Sequence, residues 1–353
     1  MIIRTSPASL NLENTPFQST DPSGLLFFDI ETTGFTARSS SLYLIGAIAL
    51  KDSQWTATQW FAESPDEEKN ILEAFLEYAK SFSQIIHFNG QRFDLPYLKE
   101  KCELYQLPYT LSTLISRDLY RMLRSLRELL RLTSMSQKSL EEFLGLFRRD
   151  PFHGGELIAI YQKYVRQPAD DILNMLLLHN YEDLLGMLTL IPMLSYRTFL
   201  DASYQVSTAE RIGDALIIRG WLPYPLPKPF SYRGDYFCLS AEQTYFSMQI
   251  PGVQKTLKHF FPDYKNYYFL PLEDTAMHKS IASYVDKEFR EPAKASNCYN
   301  KKEGFYLPQF SDIFKPVFKE NYTDTLLYFP YKESTLSDRN VLQKYAEHLI
   351  EHM

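Results

Sequence analysis

Short apolar runs separated by polar connections mark the first part of the chain. Residues 25–30 (LLFFDI), 42–50 (LYLIGAIAL) and 54–61 (QWTATQWF) each have the length of a buried strand, and 84–88 (QIIHF) is a fourth such run. The connections between the first three runs are short, which favours sequential neighbours in a sheet. The pattern therefore predicts a sheet assembled largely from consecutive strands.

A helical pattern lies between the third and fourth runs. Ser64, Pro65 and Glu67 supply a capping hydroxyl, a proline at the first helical position and a glutamate three residues after the cap. Apolar residues then follow at helical spacing, namely Ile71, Leu72, Phe75, Leu76, Ala79 and Phe82. One face of this helix should therefore pack against the sheet.

Helical patterns dominate from Arg117 onward. They predict a long helix through about Thr133, a second near 138–146 and a third over 170–190. Strands first and helices after, with one helix between strands, predict an α/β fold in which helices flank a mixed sheet.

The domain boundary is predicted from the prolines. Four of them alternate through residues 222–230 (LPYPLPKPF), which favours an extended, stiff connector. Beyond it, the chain is rich in tyrosine, with strand-like pieces and helical stretches near 274–289 and 338–352. The predicted order is an N-terminal arm over 1–20 that stays loose or lies over the domain, a first domain over 21–200, a helical and Pro-rich connector over 201–230 and a smaller α+β C-terminal domain over 231–353.

The overall composition narrows the functional classes. A chain of 353 residues, 45% of them hydrophobic, can bury a sizeable core, and a net charge of −6 leaves nucleic-acid binding to local patches. Three distant cysteines without a CxxC pair argue against a zinc site or a disulfide framework. The N-terminus lacks a signal-peptide pattern, and the apolar run 184–194 is too short to span a bilayer, so we expect a cytoplasmic protein without membrane association.

Two acidic residues end the first predicted strand. Asp29 and Glu31 are two positions apart, so their carboxylates project from the same side of the sheet. A cation would neutralise such a pair, and hard oxygen ligands favour Mg²⁺ or Mn²⁺. The alternative is a solvated strand end with two ordinary surface acids, and this motif alone does not decide between the two.

Two further motifs carry acids. Asp94 follows the fourth run at the start of a predicted helix with Pro96 in its first turn, where an acid commonly acts only as a cap. His179 and Asp183 are four residues apart and share one face of the helix over 170–190. Within such an apolar helix they need a partner, and a surface His–Asp pair is the alternative interpretation.

The order of these motifs resembles the DEDD, or DnaQ-like, exonuclease superfamily, whose pattern is D-x-E, a central N-x-x-x-D and a final Tyr or His shortly before an Asp. The matching positions are Asp29, Glu31, Asn89, Asp94 and Asp183, with Asn89 and Asp94 one residue further apart than in the short form. More narrowly, DIETTG, HFNGQRFDLPYL, HNYEDLLGM and the stretch LEEFLGLFRRDPFHGG over 140–155 resemble the YprB-type bacterial ribonuclease-H-like exonucleases. The resemblance covers about residues 21–200 and implies a ribonuclease-H-like fold there.

The resemblance also implies a 3′-to-5′ exonuclease with a two-metal mechanism. Two divalent cations, Mg²⁺ or Mn²⁺, would be bound by Asp29, Glu31, Asp94 and Asp183, and nucleoside monophosphates would leave a DNA or RNA 3′ end. By position alone, Thr32, Thr33 and Asn89 are candidates for contact with the terminal nucleotide.

His179 departs from the family pattern. The histidine subclass has its base five residues before the last Asp, where this chain has Leu178, and the tyrosine subclass has its Tyr four residues before, where this chain has His179. We interpret His179 as the catalytic group that orients or deprotonates water, because imidazole titrates near neutral pH.

Five arginines recur at helical spacing after the fourth run: Arg117, Arg121, Arg124, Arg127 and Arg131. On one helix they would form a basic stripe suited to phosphates, and Arg121 and Arg124 are the substrate-binding candidates. The alternative is a solvated helix face paired with Asp118 and Glu128. For the whole chain, the competing hypothesis is a catalytically degenerate nucleic-acid-binding module of the same fold, although the presence of all four acids counts against it.

Overall fold

The computed structural model describes residues 1–149, 152 and 154–353. Three positions of the LEEFLGLFRRDPFHGG stretch, Asp150, Pro151 and His153, lie outside the described residues.

The chain forms two compact units. The first consists of Met1–Thr198 together with Tyr224–Lys228, and the second of Phe199–Pro223 together with Pro229–Met353. The pentapeptide is joined to the first unit by Tyr196, whose buried hydroxyl donates to the Lys228 carbonyl oxygen at 2.6 Å and accepts from the Lys228 amide at 3.1 Å. The chain therefore returns to the first unit after it has begun the second.

A six-stranded mixed sheet is the centre of the first unit. Its strands are β1 (Ile2–Pro7), β2 (Leu25–Thr32), β3 (Leu42–Lys51), β4 (Gln54–Phe61), β5 (Gln84–His87) and β6 (Ile115–Asp118). They lie in the order β1-β4-β3-β2-β5-β6, with β2, β5 and β6 parallel and the other pairs antiparallel. The predicted strands are confirmed, and the predicted N-terminal arm in part forms the edge strand β1.

Eight helices precede residue 201 among the described residues. They are α1 (Glu68–Ala79), α2 (Asp94–Tyr105), α3 (Leu119–Leu123), α4 (Leu126–Leu129), α5 (Gln137–Leu144), α6 (Gly154–Arg166), α7 (Asp170–Leu190) and α8 (Ser195–Leu200). Residues of α1 and α2 pack with Leu26, Phe28 and Ile30 of β2 in one buried cluster, and residues of α6 and α7 pack with Tyr43 and Leu44 in another. Helices therefore cover both faces of the sheet.

The start of α1 follows the predicted signal only in part. A short 3₁₀ turn over Pro65–Glu67 leads into the helix, and Ser64 makes no side-chain capping bond. Instead, the Glu67 carboxylate accepts from the Glu63 amide at 2.9 Å. The apolar face of α1 is buried as predicted.

The long helix predicted from Arg117 to about Thr133 is wrong. Residues 115–118 pair in parallel with β5 as β6, and the Asp118 carboxylate then accepts from the Arg121 amide at 3.3 Å to begin the short helix α3. A second short helix, α4, follows. The five arginines consequently do not form a stripe on one helix.

The second unit is built mainly from antiparallel strands. They are β7 (Gln205–Ile212), β8 (Ala215–Trp221), β9 (Phe230–Arg233), β10 (Cys238–Glu242), β11 (Tyr245–Pro251), β12 (Val253–Phe260), β13 (Tyr267–Leu270), β14 (Thr275–His278), β15 (Glu291–Pro292), β16 (Tyr299–Gln309) and β17 (Leu327–Pro330). Three sheets result, in the orders β7-β8-β11-β10-β9, β12-β16-β17 and β14-β13-β15. Its helices are α9 (Lys279–Ala282), α10 (Glu333–Leu336) and α11 (Arg339–Ile350).

Two predictions for this part of the chain need correction. Residues 201–230 were predicted as a helical connector, but β7 and β8 form a hairpin there around Gly213, whose φ of 59° suits the turn. The helix predicted near 274–289 is reduced to α9, because residues 275–278 pair with β13 instead. The helix predicted over 338–352 is present as α11. Among the described residues, no helix combines the length and apolar character needed to cross a bilayer.

Candidate active site

The first two acids lie in the middle of the sheet. Asp29 and Glu31 project from β2 toward the face covered by α7, opposite Gly46 and Leu44 of β3. The pairing between β2 and β3 shifts by one residue directly after Glu31. Glu31 is only 9% exposed and Asp29 is half-buried, so this pair is not a solvated strand end.

A chain of amides orients Asp29. Asn180 of α7 donates from Nδ2 to Asp29 Oδ2 at 3.0 Å, and its Oδ1 accepts from Gln59 Nε2 at 2.9 Å. A Cβ on Gly46 would lie 2.0 Å from Asn180 Oδ1, so only glycine allows α7 to approach β3 this closely. No sequence motif marks Asn180 or Gln59 as part of the site, although Asn180 directly follows His179.

Helix α7 brings the last motif to the same place. His179 Nε2 lies 3.3 Å from Asp183 Oδ2 and 3.7 Å from Glu31 Oε1. Glu31, His179 and Asp183 each present one ligand atom, and these three atoms all lie within 4.8 Å of one another. The structure therefore contains a candidate metal site built from residues separated by about half the chain.

Asp94 lies at the first position of α2 and is buried, with 7% exposure. Its carboxylate accepts from its own amide and from the Ile30 amide, which ties it to β2 between the first two acids. Burial raises the pKa of Asp94 to about 7, with further increases from Asp118 and Asp183 and an opposing effect of the two amides.

The electrostatics of Asp29 connect all four acids. Burial raises the pKa of Asp29 well above its ordinary value, and the charges of Asp183, Glu31 and Asp94 raise it further, while the bond from Asn180 opposes them. Carboxyl groups that raise one another's pKa in this way lie close together. A divalent cation would remove this mutual repulsion, and carboxylate oxygens are ligands that suit Mg²⁺ and Mn²⁺.

An arginine that the sequence analysis did not single out contacts the cluster. Arg148 donates from Nη1 to Asp183 Oδ1 at 2.5 Å, and from Nε and Nη2 to the two carboxylate oxygens of Glu141 at 2.6 and 2.7 Å. Gln137 adds bonds to Glu141 Oε1 and to the Asp183 carbonyl oxygen. The stretch LEEFLGLFRRDPFHGG, noted for its family resemblance, is the signal that contains Glu141 and Arg148.

The same polar group depends on a glycine of α7. A Cβ on Gly186 would lie 1.8 Å from Glu141 Oε1 and 2.4 Å from Gln137 Nε2. Helix α5 can therefore pack against α7 at this point only because Gly186 has no side chain.

The proposed nucleotide contacts lie at the end of β2 and in the loops that follow β2 and β5. The Thr32 hydroxyl donates to the Gly34 carbonyl oxygen, and the Thr33 hydroxyl accepts from the Ser41 amide, each at 2.8 Å. Asn89 has a positive φ of 62°, and its amide donates to Asp118 Oδ1 at 2.9 Å. All three residues thus have local structural partners, and their contact with a nucleotide stays a prediction.

The arginines are distributed differently from the predicted stripe. Arg117 bonds Gln84 and lies over the Phe17 ring, and Arg121 donates to Gln91 Oε1. Arg124 and Arg127 instead line a groove together with Arg92.

Comparison with known proteins agrees with this architecture. The family model of the RNase_H superfamily matches residues 26–195. The uncharacterized protein YprB of Bacillus subtilis is 26% identical over 171 residues, which are 47% of this chain and 40% of that protein. The chain thus spans less than half the length of this curated relative.

Solved structures overlap about half of the chain. A family B DNA polymerase from Pyrobaculum calidifontis is 17% identical with a TM-score of 0.40, covering 50% of this chain and 25% of that one. Exonuclease I of E. coli, in complex with a dT13 oligonucleotide, is 12% identical with a TM-score of 0.33, covering 55% and 54%. The family match, the sheet order and the flanking helices together define the fold. Residues 26–195 of this chain therefore have a ribonuclease-H-like fold and match the family model of the RNase_H superfamily.

Proposed function

We propose that this chain is a metal-dependent 3′-to-5′ exonuclease that hydrolyses terminal phosphodiesters of DNA or RNA. The observation that carries the proposal is the convergence of Glu31, His179 and Asp183, whose ligand atoms lie within 4.8 Å of one another. Asp94 is close enough to Asp29 for its negative charge to raise the pKa of Asp29. Buried carboxylates gathered in one place are costly unless a cation binds them.

The residues fit two divalent cations, with Asp29, Glu31, Asp94 and Asp183 as the ligands. When bound, such ions activate water and stabilise the leaving oxygen of the phosphodiester. Hydrolysis adds the water oxygen to phosphorus, breaks the bond to the 3′ oxygen and leaves a proton on the new 3′ hydroxyl. One nucleoside 5′-monophosphate is released in each cycle.

His179 is the proposed group that receives or directs the water proton. Its Nε2 lies between carboxylate oxygens of Glu31 and Asp183, so its ring is oriented toward the ligands rather than toward bulk solvent. A general base must lie within hydrogen-bond reach of the attacking water, and this position satisfies that requirement if the water binds between the acids.

The test is digestion of one oligonucleotide labelled at either end. With Mn²⁺ or Mg²⁺, a 3′ label should be released at once as a mononucleotide, whereas a 5′ label should give a ladder of shortening products. Asp29→Asn and Asp183→Asn should reduce both signals to background. Asp170→Asn, an exposed acid at the start of α7, is the matched control and should retain wild-type activity. Full activity of Asp29→Asn would exclude this site.

One observation favours the second candidate function, a binding module without catalysis. Arg148 already supplies a positive charge to Asp183. A binding-only protein would retain nucleic acid in EDTA and would leave both labels intact at any Mn²⁺ or Mg²⁺ concentration.

A further inference from the structure

A groove of about 900 Å³ lies in the ribonuclease-H-like domain and extends to the residues around Asp183. Gln137 lines it, and the amide of Gln137 donates to the Asp183 carbonyl oxygen at 2.7 Å. Asn89, which follows β5, also lines it. The groove therefore lies next to the helix α7 position that carries the last acid.

The charge of the groove is opposite to that of the chain. Arg92, Arg124 and Arg127 line it, and no aspartate or glutamate is among its lining residues in the described part of the chain, although the chain has a net charge of −6. All three arginines are exposed, and none forms an ion pair with another residue in the described part of the chain. Unpaired guanidinium groups gathered in one concave surface attract an anionic chain.

The arginines come from three places in the chain. Arg124 lies between α3 and α4, Arg127 lies in α4, and Arg92 precedes α2. The segment from Thr133 to Gln137, which follows α4, lines the groove beside them.

Two aromatic rings share the groove with the arginines. Phe88 and Tyr120 are half-buried and contact each other edge to face, with ring centres 5.8 Å apart at 72°. Aromatic rings beside cations form stacking platforms for the bases of a single strand. Bases in a duplex are already stacked and paired, so they cannot use such rings.

We propose that this groove binds a single-stranded nucleic acid, with Arg92, Arg124 and Arg127 on its phosphates and with Phe88 and Tyr120 against its bases, and that it directs the 3′ end to the acids. The inference rests on the proposed exonuclease function and names its substrate as a single strand. It adds Arg92, Arg127, Phe88 and Tyr120 to the residues that contact the strand.

The binding test uses the full chain in EDTA, so that no hydrolysis occurs. A 5′-fluorescein-labelled dT20 is titrated by anisotropy over a series of KCl concentrations. The triple variant Arg92→Gln, Arg124→Gln, Arg127→Gln should lower the slope of log affinity against log salt by about 2, because each phosphate contact on a single strand contributes roughly 0.7. Its affinity should fall at least tenfold at low salt.

A matched control removes the same charge elsewhere in the domain. Arg4, Lys163 and Arg166 are exposed and do not line this groove, and their glutamine variants should keep the wild-type slope. A slope that falls equally in both triple variants, or in neither, would overturn the groove assignment. The groove assignment would also be overturned if the arginine triple variant bound a duplex more weakly but bound dT20 as well as the wild type does.

Stacking and catalysis are tested separately. Tyr120→Leu should weaken dT20 binding roughly tenfold without changing the salt slope, because stacking on one base contributes about 1–3 kcal/mol. With Mn²⁺, the arginine variant should lose more activity on dT20 than on thymidine 5′-monophosphate p-nitrophenyl ester, since the ester has no strand for the groove to bind. Equal losses on the two substrates would overturn the groove assignment. If the wild type fails to cleave any substrate, the exonuclease proposal fails, while the EDTA titration still decides the groove.

Discussion

Arg148 donates a hydrogen bond of 2.5 Å to Asp183, the acid that α7 contributes to the candidate metal site. The same guanidinium group uses its two remaining nitrogens on the buried Glu141. Arg148 thereby holds Asp183 Oδ1 in place, and the other carboxylate oxygen, Oδ2, faces His179. The orientation of a proposed metal ligand thus depends on a residue 35 positions away.

Removal of Arg148 should strongly destabilise the domain. Arg148→Met leaves the buried Glu141 carboxylate without its charged partner, so the free energy of unfolding should fall by about 3–5 kcal/mol. The double variant Arg148→Met, Glu141→Met removes both charges and should recover a large part of this loss. Urea denaturation in EDTA measures both values. A Lys163→Met control on the exposed face of α6 should change stability by no more than about 0.5 kcal/mol. Equal losses in the single and double variants would contradict the pairing.

Gly186→Ala should disturb the same contact from the α7 side. Its Cβ would lie 1.8 Å from Glu141 Oε1, so α5 must move, at a cost of about 1–3 kcal/mol. Because Asp183 is bonded through Arg148 to Glu141, nuclease activity should fall as well. Thermal unfolding and the 3′-label assay report the two effects. Gly155→Ala on α6 is the control, because nothing lies within 4 Å of the added Cβ. Wild-type activity in Gly186→Ala would show that the α5 contact does not position Asp183.

The stability of the metal-free protein should fall as pH rises. Burial raises the pKa of Asp94 to about 7, above its unfolded value of roughly 3.9. The folded state then binds the proton more tightly than the unfolded state does. The stabilising contribution of the protonated group is therefore complete below about pH 4 and is lost as pH rises through about 7.

Thermal unfolding in EDTA at pH 5 and pH 8 tests this prediction. Asp94→Asn should raise the melting temperature at pH 8 and have a smaller effect at pH 5, whereas the exposed Asp170→Asn should have no pH-dependent effect. Mn²⁺ should stabilise the wild type more at pH 8 than at pH 6, because the cation needs ionised carboxylates. A wild type and an Asp94→Asn protein with parallel pH profiles would refute the argument.

His179→Ala should lower kcat for nucleotide release by about 10²- to 10⁴-fold, the usual contribution of a general base. Binding of a single strand in EDTA should be unchanged, since the imidazole contacts the acids rather than the groove. His179→Tyr should retain more activity than His179→Ala, because the residue stands at the spacing of the tyrosine subclass. The reverse order, or unchanged kcat in His179→Ala, would assign His179 a structural role only.

Strands β2 to β5 were predictable because they alternate or run apolar over most of their length. The interruption of the predicted helix after Arg117 could not be predicted. Its buried leucines keep a helical spacing across the interruption, namely Leu119, Leu123, Leu126 and Leu130. Only Asp118, which caps α3, distinguishes a strand followed by a short helix from one continuous helix. In the same way, β7 and β8 were missed because their strand pattern is short and lies beside a proline-rich segment.

The order of the motifs was enough to predict the acids of the site, but not the residues that contact them. Asp29, Glu31 and Asp183 could be selected from motif order, whereas the contact between Arg148 and Asp183 depends on how α5 and α7 pack. Packing of that kind is set by side-chain volume, here by the absence of one at Gly186, and no linear pattern encodes it. Asn180 was hidden for the same reason, since its role follows from the approach of α7 to Gly46.

The return of Tyr224–Lys228 to the first unit affects any attempt at dissecting the protein. A recombinant fragment that stops at residue 200 would deprive the Tyr196 hydroxyl of both Lys228 partners. No single cut in the polypeptide therefore separates the first unit intact from the second. Limited proteolysis between 199 and 223 should instead produce a nicked species whose two pieces remain associated through that pentapeptide.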